Sequence, residues 1–268
     1  MAGLVLKLKA DPGERLDFSG LTPDVLAAGA TPNLANQIVG TTRRGIKLSD
    51  IFDIRASSSD ETTIDAAGAV IDGLGTGMTG GLLVVNGDAG AFVGARMKGG
   101  AIEIRGSAGN HVGADMSGGL IHVAGSSGDS TGGLAPGKRF GMTGGTIVID
   151  GNAGARTGEK MRRGLILVRG ATGAQTGARM LGGTIVVEGK VGPDSGRLMR
   201  RGTIIAGTAD VPATFADCGT HDLAILGVMA RDWARELGPL APKLAPRRVR
   251  RYAGDLATIG KGELLLPA

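Results

Sequence analysis

The chain has 268 residues, with 30 Lys and Arg against 25 Asp and Glu, a formal net charge of +5 and a pI near 9.7; this favours an acidic partner without singling out nucleic acid. Glycine takes 50 positions, more than twice the usual share of ~7%, yet shows no Gly-X-Y period, which excludes collagen, and 3% aromatics provide no stacking platform for single strands. Cys218 is the one cysteine, which excludes a disulfide framework or a cysteine metal cluster within the chain. No apolar run approaches the ~18 residues of a membrane helix. Residues 1–10 alternate instead of forming a signal-peptide core, so a cytoplasmic location is expected.

Residues 1–58 do not repeat. Residues 3–9 alternate as a strand. Residues 21–24 open a short helix, with Thr22 as N-cap and Pro23 at the first helical position. Residues 46–54 read as a second strand. The segment is expected to be a small α+β cap, because an uncovered terminal repeat exposes edge backbone and apolar core. Residues 59–77 are a degenerate first copy of the repeat: Ile64, Gly68 and Gly75 stand one period before Leu83, Gly87 and Gly94.

From Met78 the repeat is explicit. Met78, Met97, Met116, Met142, Met161, Met180 and Met199 each open a Met-x-x-Gly unit, spaced by 19 residues except for 26 between Met116 and Met142. A strand-like run comes after each, and then a Gly-x-x-Gly-x-x-x-Gly frame. The frames are Gly87, Gly90 and Gly94; Gly106, Gly109 and Gly113; Gly125, Gly128 and Gly132; Gly151, Gly154 and Gly158; Gly170, Gly173 and Gly177; and Gly189, Gly192 and Gly196. Their role is expected to be structural. Five residues after each Met stand Leu83, Ile102, Ile121, Ile147, Ile166, Ile185 and Ile204. Seven after stand Val85, Ile104, Val123, Ile149, Val168, Val187 and Ala206. These two positions share one strand face. The position between them is freer: Val84, Glu103, His122, Val148, Leu167, Val186, Ile205.

A 19-residue period is too short for two helices and suits one coil of short strands with glycine corners. Leucine-rich and calcium-binding nonapeptide repeats would need a fixed asparagine or a recurring aspartate, and neither is present. The expected fold is all-β: a right-handed parallel β-helix of about seven or eight coils over residues 59–210. The cap precedes it at 1–58, and a helix-containing segment comes after it at 211–268. The seven extra residues within 133–140 are expected to be expelled as a corner loop. The last copy is short by one residue, with Gly207 early, and the repeat stops there. Residues 220–238 read as a helix with Leu223, Leu226, Met229, Ala230 and Trp233 on one face, ended by Gly238-Pro239. Residues 240–246 read as a proline-rich linker, 247–251 as a basic run and 259–266 as a final strand. The outer row Val148, Leu167, Val186 and Ile205 needs a cover, either this helix or a partner protein.

Motifs of catalysis are weak here. Gly75-Thr-Gly77-Met-Thr-Gly80 fits a dinucleotide pattern, but another repeat comes next instead of a helix. Gly132 to Arg139 approaches a phosphate-binding loop, but Arg139 stands where Ser or Thr must hold magnesium. His111, His122 and His221 read as exposed, and no three ligands converge for zinc. No nucleophile is paired with a base. Nor do carboxylates gather on one face, as an enzyme acting on polysaccharide would require. Lys160, Arg162, Arg163, Arg179, Arg197, Arg200 and Arg201 fall near equivalent corners of successive coils. They form either a solvated positive edge or a dock for an acidic surface or polyanionic tail.

The unit Met97-Lys-Gly-Gly-Ala-Ile-Glu-Ile-Arg-Gly-Ser-Ala-Gly-Asn-His-Val-Gly113 resembles the glycine-repeat family named for its GXGXG motifs, over roughly residues 40–235. That family includes the C-terminal domain of glutamate synthase and the C subunit of formylmethanofuran dehydrogenase. Chain length favours the second, and the Ala-, Gly- and Arg-rich composition favours its branch in the formyltransferase/hydrolase complex of aerobic methylotrophs. The resemblance implies a non-catalytic scaffold subunit in a four-subunit assembly, with amidohydrolase-like, formyltransferase and dehydrogenase-B-like partners. It implies a methanofuran-type carrier, tetrahydromethanopterin, and zinc in the hydrolase subunit. It carries over no active-site residue to this chain. The C subunit of a true molybdenum or tungsten formylmethanofuran dehydrogenase, or a glutamate-synthase-like spacer, are the alternatives.

Overall fold

The computed structural model describes residues 3–28, 34–57, 59–66, 68–244 and 246–268. The N-terminal segment forms β1 (Leu4–Leu8), β2 (Leu16–Asp17), helix α1 (Pro23–Ala28), helix α2 (Leu48–Ile51) and β3 (Phe52–Ala56). Then come β4 (Glu61–Asp65) and β5 (Ile71–Asp72). Each repeat then contributes one strand: β6 (Leu82–Asn86), β7 (Ala101–Ile104), β8 (Leu120–Val123), β9 (Thr146–Ile149), β10 (Leu165–Val168), β11 (Thr184–Val191) and β12 (Arg201–Ala209). The chain ends in β13 (Ala216–Asp222), helix α3 (Ala224–Leu237), β14 (Arg248–Gly254) and β15 (Lys261–Pro267). The fold is mostly β, built on one large and mostly parallel sheet ordered β13-β14-β15-β12-β11-β10-β9-β8-β7-β6-β4-β1-β3.

The repeat explains the parallel part. Each strand pairs in register with the same position one repeat on, so Leu83 faces Ile102, Ile102 faces Ile121, and the row runs to Ile204 and then Leu264. Both inward rows are essentially solvent-free, as is the methionine row. Burying each isoleucine contributes roughly 1.5–3 kcal/mol before entropy is counted. The seven-residue insertion leaves this register intact: Thr146 faces Leu120 as if nothing intervened.

The glycines of the frame have different reasons to be glycine. At the third one, Gly94, Gly113, Gly158 or Gly177, the backbone is left-handed, with φ between 61° and 70°. A Cβ there would collide with an isoleucine Cδ1: Ile121, Ile147, Ile185 and Ile204 in turn. The second one, Gly90, Gly109, Gly154 or Gly173, has no positive φ. There the obstacle is the chain of the previous repeat: a Cβ on Gly109 would press on Gly90, and one on Gly173 would press on Gly154. At the first one, Gly106, Gly151 and Gly170 likewise lie against the repeat before, but Gly87 has open space and is set only by its φ of 113°. At the Met-x-x-Gly glycine from Gly100 onward, Met Cε of the previous repeat fills the space a side chain would need, while at Gly81 Pro23 does so. Met142 lies so against Gly164, and Met199 against Gly262 of β15.

Away from the strands, isolated parallel bridges form a second column through Ala89, Ala108, Ser127, Ala153, Thr172 and Val191. Short polar side chains clasp successive repeats at the corners. Asn110 Oδ1 accepts from the Asp129 N–H and Asp129 Oδ1 from the Ala155 N–H, each at 2.8 Å.

Non-repeating strands extend the sheet at both ends. β1 lies parallel to β4 and antiparallel to β3. At the other end β15 lies parallel to β12, with β14 and β13 antiparallel beyond it. The sequence repeat stops after Met199, but the sheet does not, because β15 supplies Gly262 and Leu264 at the repeat's own positions. Phe215 fills the corner against Gly196 that an isoleucine fills elsewhere.

Several local expectations are corrected. The 46–54 strand divides: Lys47 bridges Ile38, residues 48–51 turn as α2, and β3 begins at Phe52. Asp50 Oδ2 accepts the Lys47 N–H at 3.0 Å, which favours the turn over a continuous strand. In the first copy Thr62, not Ile64, faces Leu83, and Ile64 faces Val85. The strand offset there is 21 residues, and Thr62 takes the inward place at 1% exposure. Residues 220–222 belong to β13, so the helix starts at Ala224. The insertion at 133–140 is expelled from the register as a corner loop, as expected, and is tied to the neighbouring corner, with Leu134 O 3.1 Å from His111 Nδ1 and Lys138 paired to Asp115 at 3.3 Å.

Helix α3 lies on the outer row. Leu226 and Trp233, with Val249 of β14, pack on Val148, Leu167, Val186, Ile205 and Leu265. Gly238, at φ 53°, caps the helix before Pro239. Beyond the helix the outer row turns polar. His122 Nε2 is 2.9 Å from Asp150 Oδ2, and Arg169 Nε is 2.8 Å from Asp150 Oδ1 with its N–H directed off the acceptor. Another Arg169 nitrogen donates to Pro239 O at the helix end.

Candidate functional site

The basic residues gather because the methionine corner repeats. The residue before Met97, Met116, Met161, Met180 and Met199 takes a left-handed conformation: Arg96, Asp115, Lys160, Arg179 and Leu198 all have φ between 53° and 59°. The two residues after it leave the corner outward, giving Arg162 and Arg163 in one repeat and Arg200 and Arg201 two repeats on. All four are exposed. Two sheet spacings separate these pairs, about 10 Å. Arg201 pairs in register with Lys261, so β15 adds a further exposed cation to the row. Sequence reading missed Lys261 because it lies outside the repeat.

Neutralisation along this edge is sparse. Arg179 pairs with Glu159 at 3.2 Å. Arg162 stands over the Phe140 ring at 4.6 Å from its centroid, and Arg139 stands at 5.3 Å from the same ring. The inserted loop therefore joins the edge and adds Arg139 to it. Arg163, Arg197, Arg200 and Arg201 have no ion pair among the described residues. A row of exposed guanidinium groups can hold carboxylates or phosphates through paired N–H donors.

Asp255 closes the last corner beside Arg197. It is 2% exposed; Oδ2 accepts the Leu198 N–H at 2.7 Å and Oδ1 the Ala257 N–H at 2.8 Å. Burial pushes its carboxyl up. The hydrogen bonds from Leu198, Ala257 and Thr214 and the charge of Arg197 outweigh this, and it lies below the usual carboxylate range.

The other motifs resolve into structure. Gly75 and Gly77 form a corner with φ of 65° and 73°, and β6 comes next. Gly132 to Arg139 is the corner loop. His111 is a half-buried corner residue stacked on Phe92, and His122 is half-buried on the outer row, so exposure holds only for His221 on β13. The loop and Asp150 cover the first two. Among the described residues no three His, Cys, Asp or Glu side chains come together as a metal site, and no helix is long and apolar enough to cross a membrane.

In-register strands joined by glycine corners, extended at both ends by non-repeating strands and carrying one cationic edge, define a repeat protein whose main surface feature is suited to binding. No protein-family profile matches the chain. It is 49% identical over 263 residues to the C subunit of the formyltransferase/hydrolase complex Fhc of Methylorubrum extorquens, covering 98% of this chain and 99% of that one. It also resembles a chain in the X-ray crystal structure of the formyltransferase/hydrolase complex FhcABCD from the same organism in complex with methylofuran. The TM-score is 0.89 at 39% identity, over 98% of this chain and 99% of that one. The chain belongs to the family of C subunits of the formyltransferase/hydrolase complex.

Proposed function

We propose that the chain is the non-catalytic scaffold subunit of a formyltransferase/hydrolase complex in one-carbon metabolism. The observation that carries this is similarity to the Fhc C subunit over nearly the full length of both chains. The complex transfers a formyl group from formyl-tetrahydromethanopterin to the amine of a methanofuran-type carrier. Water then cleaves the resulting formamide to formate and free amine. The transferase and a zinc-dependent amidohydrolase-like subunit perform these steps, and a dehydrogenase-B-like partner completes the cytoplasmic assembly. No nucleic acid or membrane takes part. Within the chain, residues 59–210 wind as a right-handed parallel β-helix; the in-register strands and the second column of parallel bridges support this.

Native mass spectrometry of the tagged chain from its own host tests the assignment. Co-purification of a formyltransferase and an amidohydrolase is expected. A chain that runs alone, or with a flavin or iron–sulfur glutamate synthase, overturns it.

The edge of Lys160, Arg162, Arg163, Arg179, Arg200 and Arg201 docks an acidic partner surface or the polyanionic tail of the carrier. Reversing Arg162 and Arg200 to Glu should weaken binding of partner or carrier and flatten its salt dependence. Unchanged partner affinity and carrier use would remove this role.

A further inference from the structure

A cavity of about 470 Å³ lies between the N-terminal cap and the corner loop, away from the arginine row at 162–163 and 200–201. Three parts of the chain line it. The cap supplies Asp17, Ser19 and Thr41; the first corners supply Asp72, Thr76, Phe92 and Arg96; the loop supplies Pro136 and Lys138. Its size falls within the roughly 300–1,000 Å³ of small-molecule sites.

The charges in it are sorted by side. Asp72 is engaged: Arg15 grips it through Nε at 2.8 Å and a second nitrogen at 2.6 Å. Lys138 is held by Asp115 at 3.3 Å. Asp17 uses Oδ1 to accept the Ser19 N–H at 2.9 Å but has no cationic partner among the described residues, and Arg96 has no carboxylate partner there. Asp17 on the cap side and Arg96 on the corner side, both exposed and without an ion-pair partner among the described residues, thus share one cavity. Phe92 gives the same cavity a flat wall. Phe92 is stacked on His111, with centroids 4.8 Å apart and planes 2° from parallel, and His111 is held from behind by Leu134 O. The floor, Gly73, Thr76 and Ala95, is buried.

We propose that this cavity binds an α-amino-acid zwitterion with an apolar or aromatic side chain. Its ammonium group meets the free Asp17 oxygen, its carboxylate takes the Arg96 guanidinium in paired hydrogen bonds, and its side chain lies on Phe92. Neither a simple anion nor a simple cation satisfies both unpaired groups.

Isothermal titration calorimetry of the full chain tests this with L-phenylalanine, N-acetyl-L-phenylalanine and phenethylamine. The last two each lack one charge. L-phenylalanine should bind, and each analogue should bind at least about tenfold more weakly, the loss of one charged hydrogen bond. Asp17→Asn, which keeps an acceptor for the Ser19 N–H, should abolish discrimination against the N-acetyl compound. Arg96→Gln should abolish discrimination against phenethylamine. No heat from L-phenylalanine at millimolar concentration overturns the proposal. So does equal binding of N-acetyl-L-phenylalanine, which would mark a plain anion site. The ligand series stands even if a variant misfolds.

Discussion

The inward and outward strand positions of the same repeats obey different rules. Five and seven residues after each methionine the chain is aliphatic from Leu83 to Ala206, and all of these side chains are buried. The residue between them varies: Val84 is apolar and buried, Glu103 and His122 are polar, and Val148, Leu167, Val186 and Ile205 come after the insertion. The inward rows answer to neighbouring repeats, which are the same everywhere. The outward row answers to whatever lies on it, and only its second half carries α3. A repeat therefore fixes a core by its own periodicity, while its surface is free to specialise repeat by repeat.

Gly113→Val strikes the inward rule hardest. It places a β-branched residue at φ 62° against Ile147 Cδ1, and a loss of about 4 kcal/mol or more is expected. Denaturant unfolding measures it; a loss under about 1 kcal/mol would show that the corner relaxes freely. Trp233→Ala tests the outward rule, with an expected loss of about 3 kcal/mol. Hydrogen exchange should speed at Leu167, Val186 and Ile205 and stay unchanged at Glu103 and His122. Uniform acceleration would mean that α3 supports the whole stack.

Asp255→Asn probes the closing corner. Because the folded state holds the Asp255 carboxyl below its usual range, its stabilisation is present above the unfolded-state pKa and is lost as pH falls through the folded one. The variant should be less stable by about 2 kcal/mol near neutrality, and the gap should shrink in acid. A gap independent of pH would remove the ionised carboxylate from the account. His122→Ala should do least. It removes one partly exposed contact, while Arg169 still holds Asp150, so a change of at most about 1 kcal/mol is expected. A larger loss would make the polar half of the outer row as structural as the apolar half.

Much of this was legible in the chain because its constraints are local and repeated. The methionine row, the two aliphatic rows and the glycine frame each recur at one spacing, and the same spacing placed Arg162, Arg163, Arg200 and Arg201 at one corner. The frame did not reveal that its glycines differ: Gly158 and Gly177 need a left-handed backbone, whereas Gly154 and Gly173 need only room for the repeat beside them. The 220–238 helix was legible from its apolar face, but its start at Ala224 was not, since β14 recruits residues 220–222 into the sheet. Lys261 escaped notice because only the pairing of β15 with β12 brings it beside Arg201.

The sequence alone determined the repeat, its core and its corners, because a side chain at a fixed place in a fixed period meets a copy of its own surroundings. Tertiary structure decided the rest. The loop is tied to His111 and Asp115, β15 extends the sheet past the last repeat, and the N-terminal segment and loop line an open cavity together. These contacts join segments that share no period, so their partners are settled only when the folded chain brings distant surfaces together.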